Sequence, residues 1–136
     1  MEIGFTGTQI GMTDKQKETV KKFLISFKAT EFHHGDCIGA DSQAHDIAKE
    51  LGIAITIHPP INSSKRALKT GYEKLLDKKP YLERNHDIVD NCRILIACPK
   101  GNDEQLRSGT WATIRYAKKQ KVETIIIYPD GMWVTN

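Results

Sequence analysis

The residues best suited to chemistry fall in four short stretches. Ser108-Gly109-Thr110 opens a helical stretch, "RSGTWATIRYAKKQ", and can serve either as a plain helix cap or as an anion cradle. Free backbone N–H groups and the positive end of the helix dipole converge at such a start. Gly7-Thr8 follows the first apolar run, "EIGFT", and Gly35-Asp36-Cys37-Ile38-Gly39-Ala40-Asp41 follows "EFHH". Pro99-Lys100-Gly101 follows a third run, "RILIAC". Glycine lets backbone approach a phosphate closely, and successive backbone amides there bind the anion. Arg84 offers a guanidinium that can clamp a phosphate through two parallel hydrogen bonds, with Asn85 beside it to bond a ribose or base, or merely to cap a turn. Asp36, Asp41 and Glu83 are the carboxylates available for acid–base work. Asp41 reads equally as the N-cap of the helix that follows, and Glu83 as a solvated helix carboxylate.

Metal and thiol chemistry find less support. His33 and His34 adjoin Asp36 and Cys37, but neighbouring strand residues point to opposite faces, so the two imidazoles do not share a site. We expect no metal and no cofactor. His45 reads as a packing or cap-supporting histidine, Cys98 as an inert buried thiol, and Trp111 and Tyr116 as core and helix surface, with Trp111 near enough to the crevice to stack on a base instead.

These residues need elements to hold them. The 136-residue chain is long enough for one domain with a real core. Its 20 basic and 17 acidic residues leave a net charge of +3, too small to indicate nucleic acid or membrane as a partner. No apolar run approaches a membrane span, and the three cysteines lack paired spacing, which suggests a cytoplasmic protein with reduced thiols. Thr13 and Gln16 form a capping box ahead of Val20, Phe23, Leu24 and Phe27 at helical spacing. A second helix carries Ala44, Ile47, Ala48 and Leu51 and stops at Gly52. "IAITI", "RILIAC" and "TIIIY" are continuous apolar runs, as expected of strands buried on both faces. Residues 59–79 form a flap or lid, with a short helix through Leu68, Tyr72, Leu75 and Leu76; Pro80 then starts a helix burying Tyr81, Leu82, Ile88 and Val89. The expectation is a doubly wound α/β domain over residues 1–136: a Rossmann-like parallel sheet of five strands with helices on both faces. Ligands of such sheets bind beyond the carboxyl ends of the strands, where the four stretches lie.

The blocks "GFTGT", "HHGDCIGADSQAHDIAKELG", "ERNHDIVDNCRILIACPKG" and "RSGTWATIRYAKKQKVETIIIYP" resemble, in order and spacing, those of the SLOG superfamily. That superfamily joins DNA-processing protein A to the phosphoribohydrolases known as LOG proteins, and the resemblance runs from Ile3 to Pro129. It implies a pocket for a nucleotide or nucleotide-derived ligand and a homodimer or larger homo-oligomer. Arg84 fits the LOG arginine and Gly109-Thr110 the Gly-Thr, but Trp111, Ala112 and Thr113 offer no glutamate where the hydrolases carry one. Without that carboxylate nothing there stabilises an oxocarbenium-like state. The sequence thus points first to a nucleotide-binding sensor, carrier or sequestering protein. An N-glycoside hydrolase using a non-standard carboxylate comes second. DNA binding comes third, because Glu73 and Asp77 interrupt the basic run of Lys65, Arg66, Lys69, Lys74, Lys78 and Lys79. A phosphate is expected against the amides of Gly7–Thr8, Gly39–Ala40 or Ser108–Thr110, and Arg84→Ala is expected to weaken its binding by about 1.5–3 kcal/mol.

Overall fold

The structure, a computed structural model, describes all residues, 1–136. Strands β1 (Glu2–Gly7), β2 (Glu31–His34), β3 (Ala54–Ile57), β5 (Ile94–Cys98) and β6 (Glu123–Ile127) are the five runs expected from their apolar content. A two-residue β4 (Lys74–Leu75) and a three-residue β7 (Trp133–Thr135) extend the sheet at its two edges. The order is β4-β3-β2-β1-β5-β6-β7, parallel throughout except for β7, which returns antiparallel to β6. The sheet therefore has seven strands, not five, and one edge is antiparallel.

Helices α1 (Asp14–Ser26) and α2 (Ala40–Glu50) cover one face; α3 (Tyr81–Asp90) and α4 (Gly109–Lys119) cover the other. Side-chain alternation along each strand feeds both layers. Ile3, Phe5, Phe32, Ile55 and Ile96 meet Val20, Leu24 and Ala44 on the first face. On the second, Leu95 packs with Ile88 and Val89, and Ala97 with Trp111 and Ile114. The capping box of α1 forms as expected: Thr13 Oγ1 accepts from the Gln16 amide at 3.1 Å, and Gln16 Oε1 accepts from the Thr13 amide at 3.0 Å. The buried Gln16 amide group also donates to the Pro99 and Ile127 carbonyls, each at 3.0 Å, locking α1 to the ends of β5 and β6.

Residues 59–79 form no helix. Leu68, Tyr72, Leu75 and Leu76 are all exposed, and the backbone runs through turns and isolated bridges to the two-residue β4. The cause lies elsewhere in the chain. Asp36 takes the amides that a helix would use internally: its carbonyl accepts from Ala67, and its carboxylate from Leu68 at 3.2 Å and Lys69 at 3.0 Å. Positive φ angles at Leu68 (58°) and Gly71 (75°) complete the break. The segment is a strap laid across the end of the sheet. Helix α3 does begin after Pro80, but Tyr81 and Leu82 are exposed, and its inner face is Arg84, Asn85, Ile88 and Val89.

Strand order reverses between β1 and β5, so the crevice expected of this architecture opens beyond Gly7 and Cys98.

Candidate ligand site

A cleft of about 340 Å³ lies at that reversal. One wall is the turn after β1, Gly7 to Ile10; the other is the loop after β5, through Lys100, Gln105 and Arg107. Its floor is the start of α4, Ser108 to Trp111, and Tyr81 leans in from α3. Ser108 caps α4, its hydroxyl accepting from the Trp111 amide at 3.3 Å. Capping leaves the Gly109 and Thr110 amides at the helix start free of intrahelical partners. The Ser108 cap and the free amides beside it are thus one feature.

The charge of the cleft is one-sided. No aspartate or glutamate is among its twelve lining residues, and neither Lys100 nor Arg107 takes part in any of the eight ion pairs of the structure. Glu104, the acid nearest in sequence to this floor, does not line the cleft and is held by Arg115 at 2.7 Å.

Of the residues expected at the site, Gly7, Thr8, Ser108, Gly109 and Thr110 line the cleft. Gly39 and Ala40 stand behind its β1 wall, where the Ala40 amide donates to the Thr8 carbonyl at 2.9 Å. A Cβ on Gly7 would come within 2.5 Å of the Ala40 Cβ, so glycine is what lets α2 press against the end of β1. Pro99 is buried, its carbonyl engaged by Gln16, and Gly101 lies in the loop between Lys100 and Arg107 without lining the cleft.

The remaining candidates form a second, internal constellation. Arg84 is 2 % exposed and its donors are engaged: Nη1 donates to the Gly35 carbonyl at 2.5 Å and the His58 carbonyl at 3.1 Å, and Nε donates to Asn85 Oδ1 at 2.7 Å. Asp41 is not the N-cap of α2, a position held by Gly39 with φ of 85°. Its carboxylate instead accepts from the Gly35 and Cys37 amides, both at 3.2 Å. Burial pushes this carboxyl up to about 6, against the pull of Arg84. Asp36, fully buried at φ 58°, pairs with Arg66 at 3.0 Å besides holding the strap. Glu83 is exposed, 3.9 Å from Lys79. None of the three carboxylates lines the cleft.

The histidines separate as strand geometry requires. His33 meets His58 on one face of the sheet, and His34 meets His45 on the other, each pair at 2.8 Å. Burial raises all three thiols, Cys37 to about 11, which leaves little thiolate at neutral pH.

Five lining residues escaped the sequence reading, Gln9, Ile10, Tyr81, Gln105 and Arg107, and Lys100 was named only as part of its loop. The basic residue directly before the Ser108 cap was the available signal for Arg107. Tyr81 was hidden by its helical spacing, which suits a buried face equally well.

No family model and no curated protein matches the sequence. Among solved structures, the molybdenum cofactor binding protein of the phototrophic bacterium Rippkaea orientalis is similar, with a TM-score of 0.71 at 19% identity over 93% of this chain and 76% of that one. The molybdenum cofactor carrier protein of Chlamydomonas reinhardtii gives 0.66 at 17% identity over 92% and 75%. DNA processing protein A of Streptococcus pneumoniae gives 0.68 at 16% identity, over 92% of this chain and 49% of its own, about half its length. At such identities the likeness is one of fold, and the chain has the Rossmann-like, SLOG/LOG-like fold that its sequence blocks resemble.

Proposed function

We propose that this chain binds a nucleotide or nucleotide-derived ligand in the cleft between β1 and α4, as a carrier, sensor or sequestering protein. The carrying observation is the cleft's composition: free helix-start amides, two unpaired cations and no acid, gathered where the strand order reverses. A phosphate there meets the α4 dipole and two side chains that no carboxylate neutralises. Two solved proteins of this fold are named for binding or carrying the molybdenum cofactor, which supports a small-molecule cargo.

Turnover finds no support in the cleft. Cleaving an N-glycosidic bond develops positive charge on the sugar, and a wall of Lys100 and Arg107 without a carboxylate opposes that charge. Calorimetry with nucleoside 5′-monophosphates tests the reading. Lys100→Ala and Arg107→Ala should each weaken binding by about 1.5–3 kcal/mol, the usual range for charge-assisted contacts. Affinity unchanged in both variants would place the anion elsewhere. Chromatography of the same mixtures should find no free base; rapid release would overturn the binding-only reading and turn attention to Asp41.

A further inference from the structure

Three apolar side chains line an otherwise polar cleft: Ile10, Tyr81 and Trp111. Trp111 is 7% exposed and belongs to the core, but Ile10 is 79% exposed and Tyr81 43%. Tyr81 is nevertheless fixed. The Arg84 guanidinium carbon sits 4.8 Å from its ring centroid and occupies one face. Its hydroxyl lies against Gly109, where any Cβ would collide with it. The aromatic plane is therefore held beside the α4 amides before a ligand arrives, so little side-chain freedom remains to be lost on binding.

We infer that the cleft selects a phosphorylated bicyclic heterocycle by stacking it on Tyr81, with Ile10 as the second apolar contact. The inference rests on the anion cradle proposed above. A ligand whose phosphate lies on the Gly109 and Thr110 amides has Tyr81 as its neighbour. Stacking recognises the area of a π-face and tolerates changes at its edge. Gln9 and Gln105 reinforce that tolerance, because a carboxamide offers a donor or an acceptor as the base edge demands. A purine then outbinds a pyrimidine through overlap, while adenine and guanine bind alike.

Calorimetry with ribose 5-phosphate, AMP, GMP and CMP on the wild type, Tyr81→Leu, Tyr81→Phe and Ile10→Ser tests this. AMP and GMP should bind the wild type at least about tenfold tighter than ribose 5-phosphate, as expected for one base–aromatic stack, with CMP between. Tyr81→Leu should remove that advantage, costing AMP about tenfold more affinity than it costs ribose 5-phosphate. Tyr81→Phe should keep it, and the exposed Ile10→Ser should reduce it in part. AMP binding no tighter than ribose 5-phosphate, CMP equal to AMP, or equal losses for AMP and ribose 5-phosphate in Tyr81→Leu would overturn the inference while the cradle stands. Failure of all four ligands to bind the wild type would overturn the cradle and the inference with it.

Discussion

Arg84→Met should lower the stability of the protein by about 3–5 kcal/mol, the range for breaking a buried charge network. Methionine keeps most of the aliphatic stem, so the loss isolates the guanidinium. That group joins three segments: the loop after β2 through the Gly35 carbonyl, the end of β3 through the His58 carbonyl, and α3 through Asn85. Removing it leaves two buried carbonyls without their donor and the Asp41 carboxyl without its nearest cation. Gly35 shows how close the fit is, since a Cβ there would overlap the guanidinium. Arg84→Lys should lose less than Arg84→Met but still lose stability, because one ammonium can serve the two carbonyls that Nη1 meets and not also Asn85 Oδ1, which Nε holds. Urea unfolding midpoints for the three proteins check this. A loss under 1 kcal/mol in Arg84→Met would show that the network is dispensable. A stable Arg84→Lys with lost ligand affinity would restore Arg84 to the phosphate clamp expected from its position in the sequence.

Arg84 also marks where sequence reading reaches its limit. Continuous apolar runs at 53–57, 93–98 and 124–128 indicate strands covered on both faces, and strands β3, β5 and β6 lie there with buried side chains. Thr13 and Gln16, three residues apart, specify a local structure by local contacts, and it forms. What stayed hidden is set by contacts between segments distant in the chain. Leu68 to Leu76 has helical spacing, yet Asp36, about thirty residues away, takes the amides first. Asp41 looked like a cap because it opens a helix; the backbone turn at Gly39 instead hands its carboxylate to Gly35 and Cys37. The short edge strands β4 and β7 carry no alternation to read and exist by pairing with β3 and β6. That Ser108, Gly109 and Thr110 face the cleft was legible because glycine and serine at a helix start carry their chemistry in the backbone. Arg107 was not, because nothing local tells a cation over a cleft from a cation over solvent.

Acidification from pH 7 to pH 5 should weaken the fold, and the two histidine pairs decide the sign. The Asp36 amide donates to His34 Nδ1 at 2.9 Å, so the proton of His34 sits on Nε2 and donates to His45 Nδ1. His45 Nε2 in turn donates to the Thr70 carbonyl at 2.7 Å, tying the strap to α2. A second proton on either ring would set one N–H against another. Burial, then the other ring and the nearby Arg84 and Lys69, hold His34 well below the ordinary imidazole range. Burial also lowers His45, despite Asp46 and Asp36. On the other face, burial, His33, Arg84 and Lys79 bring His58 down to about 4 although Asp87 opposes them. Burial and Lys74 lower His33 against Glu31 and Glu2; Glu31 Oε1 lies 3.1 Å from its Nε2 but off the line of a hydrogen bond. Each ring thus refuses a proton that the unfolded chain accepts near pH 6.5, so stability falls as pH drops through that value, and for His58 the fall ends near 4. Asp41 acts in the opposite sense: with its carboxyl raised to about 6, the folded form takes its proton first, and acidification restores stability. Between pH 7 and 5, His58 alone costs about 2 kcal/mol and Asp41 returns about 1 kcal/mol. His34, His33 and His45 all add to the loss, so the net change is a loss. Urea midpoints should therefore be lower at pH 5 than at pH 7, and His58→Gln, which keeps a neutral hydrogen-bonding side chain, should narrow the difference. Stability that is flat or rises on acidification would mean that the rings are charged within the fold, and the line of donors from Asp36 to Thr70 would then have to be redrawn.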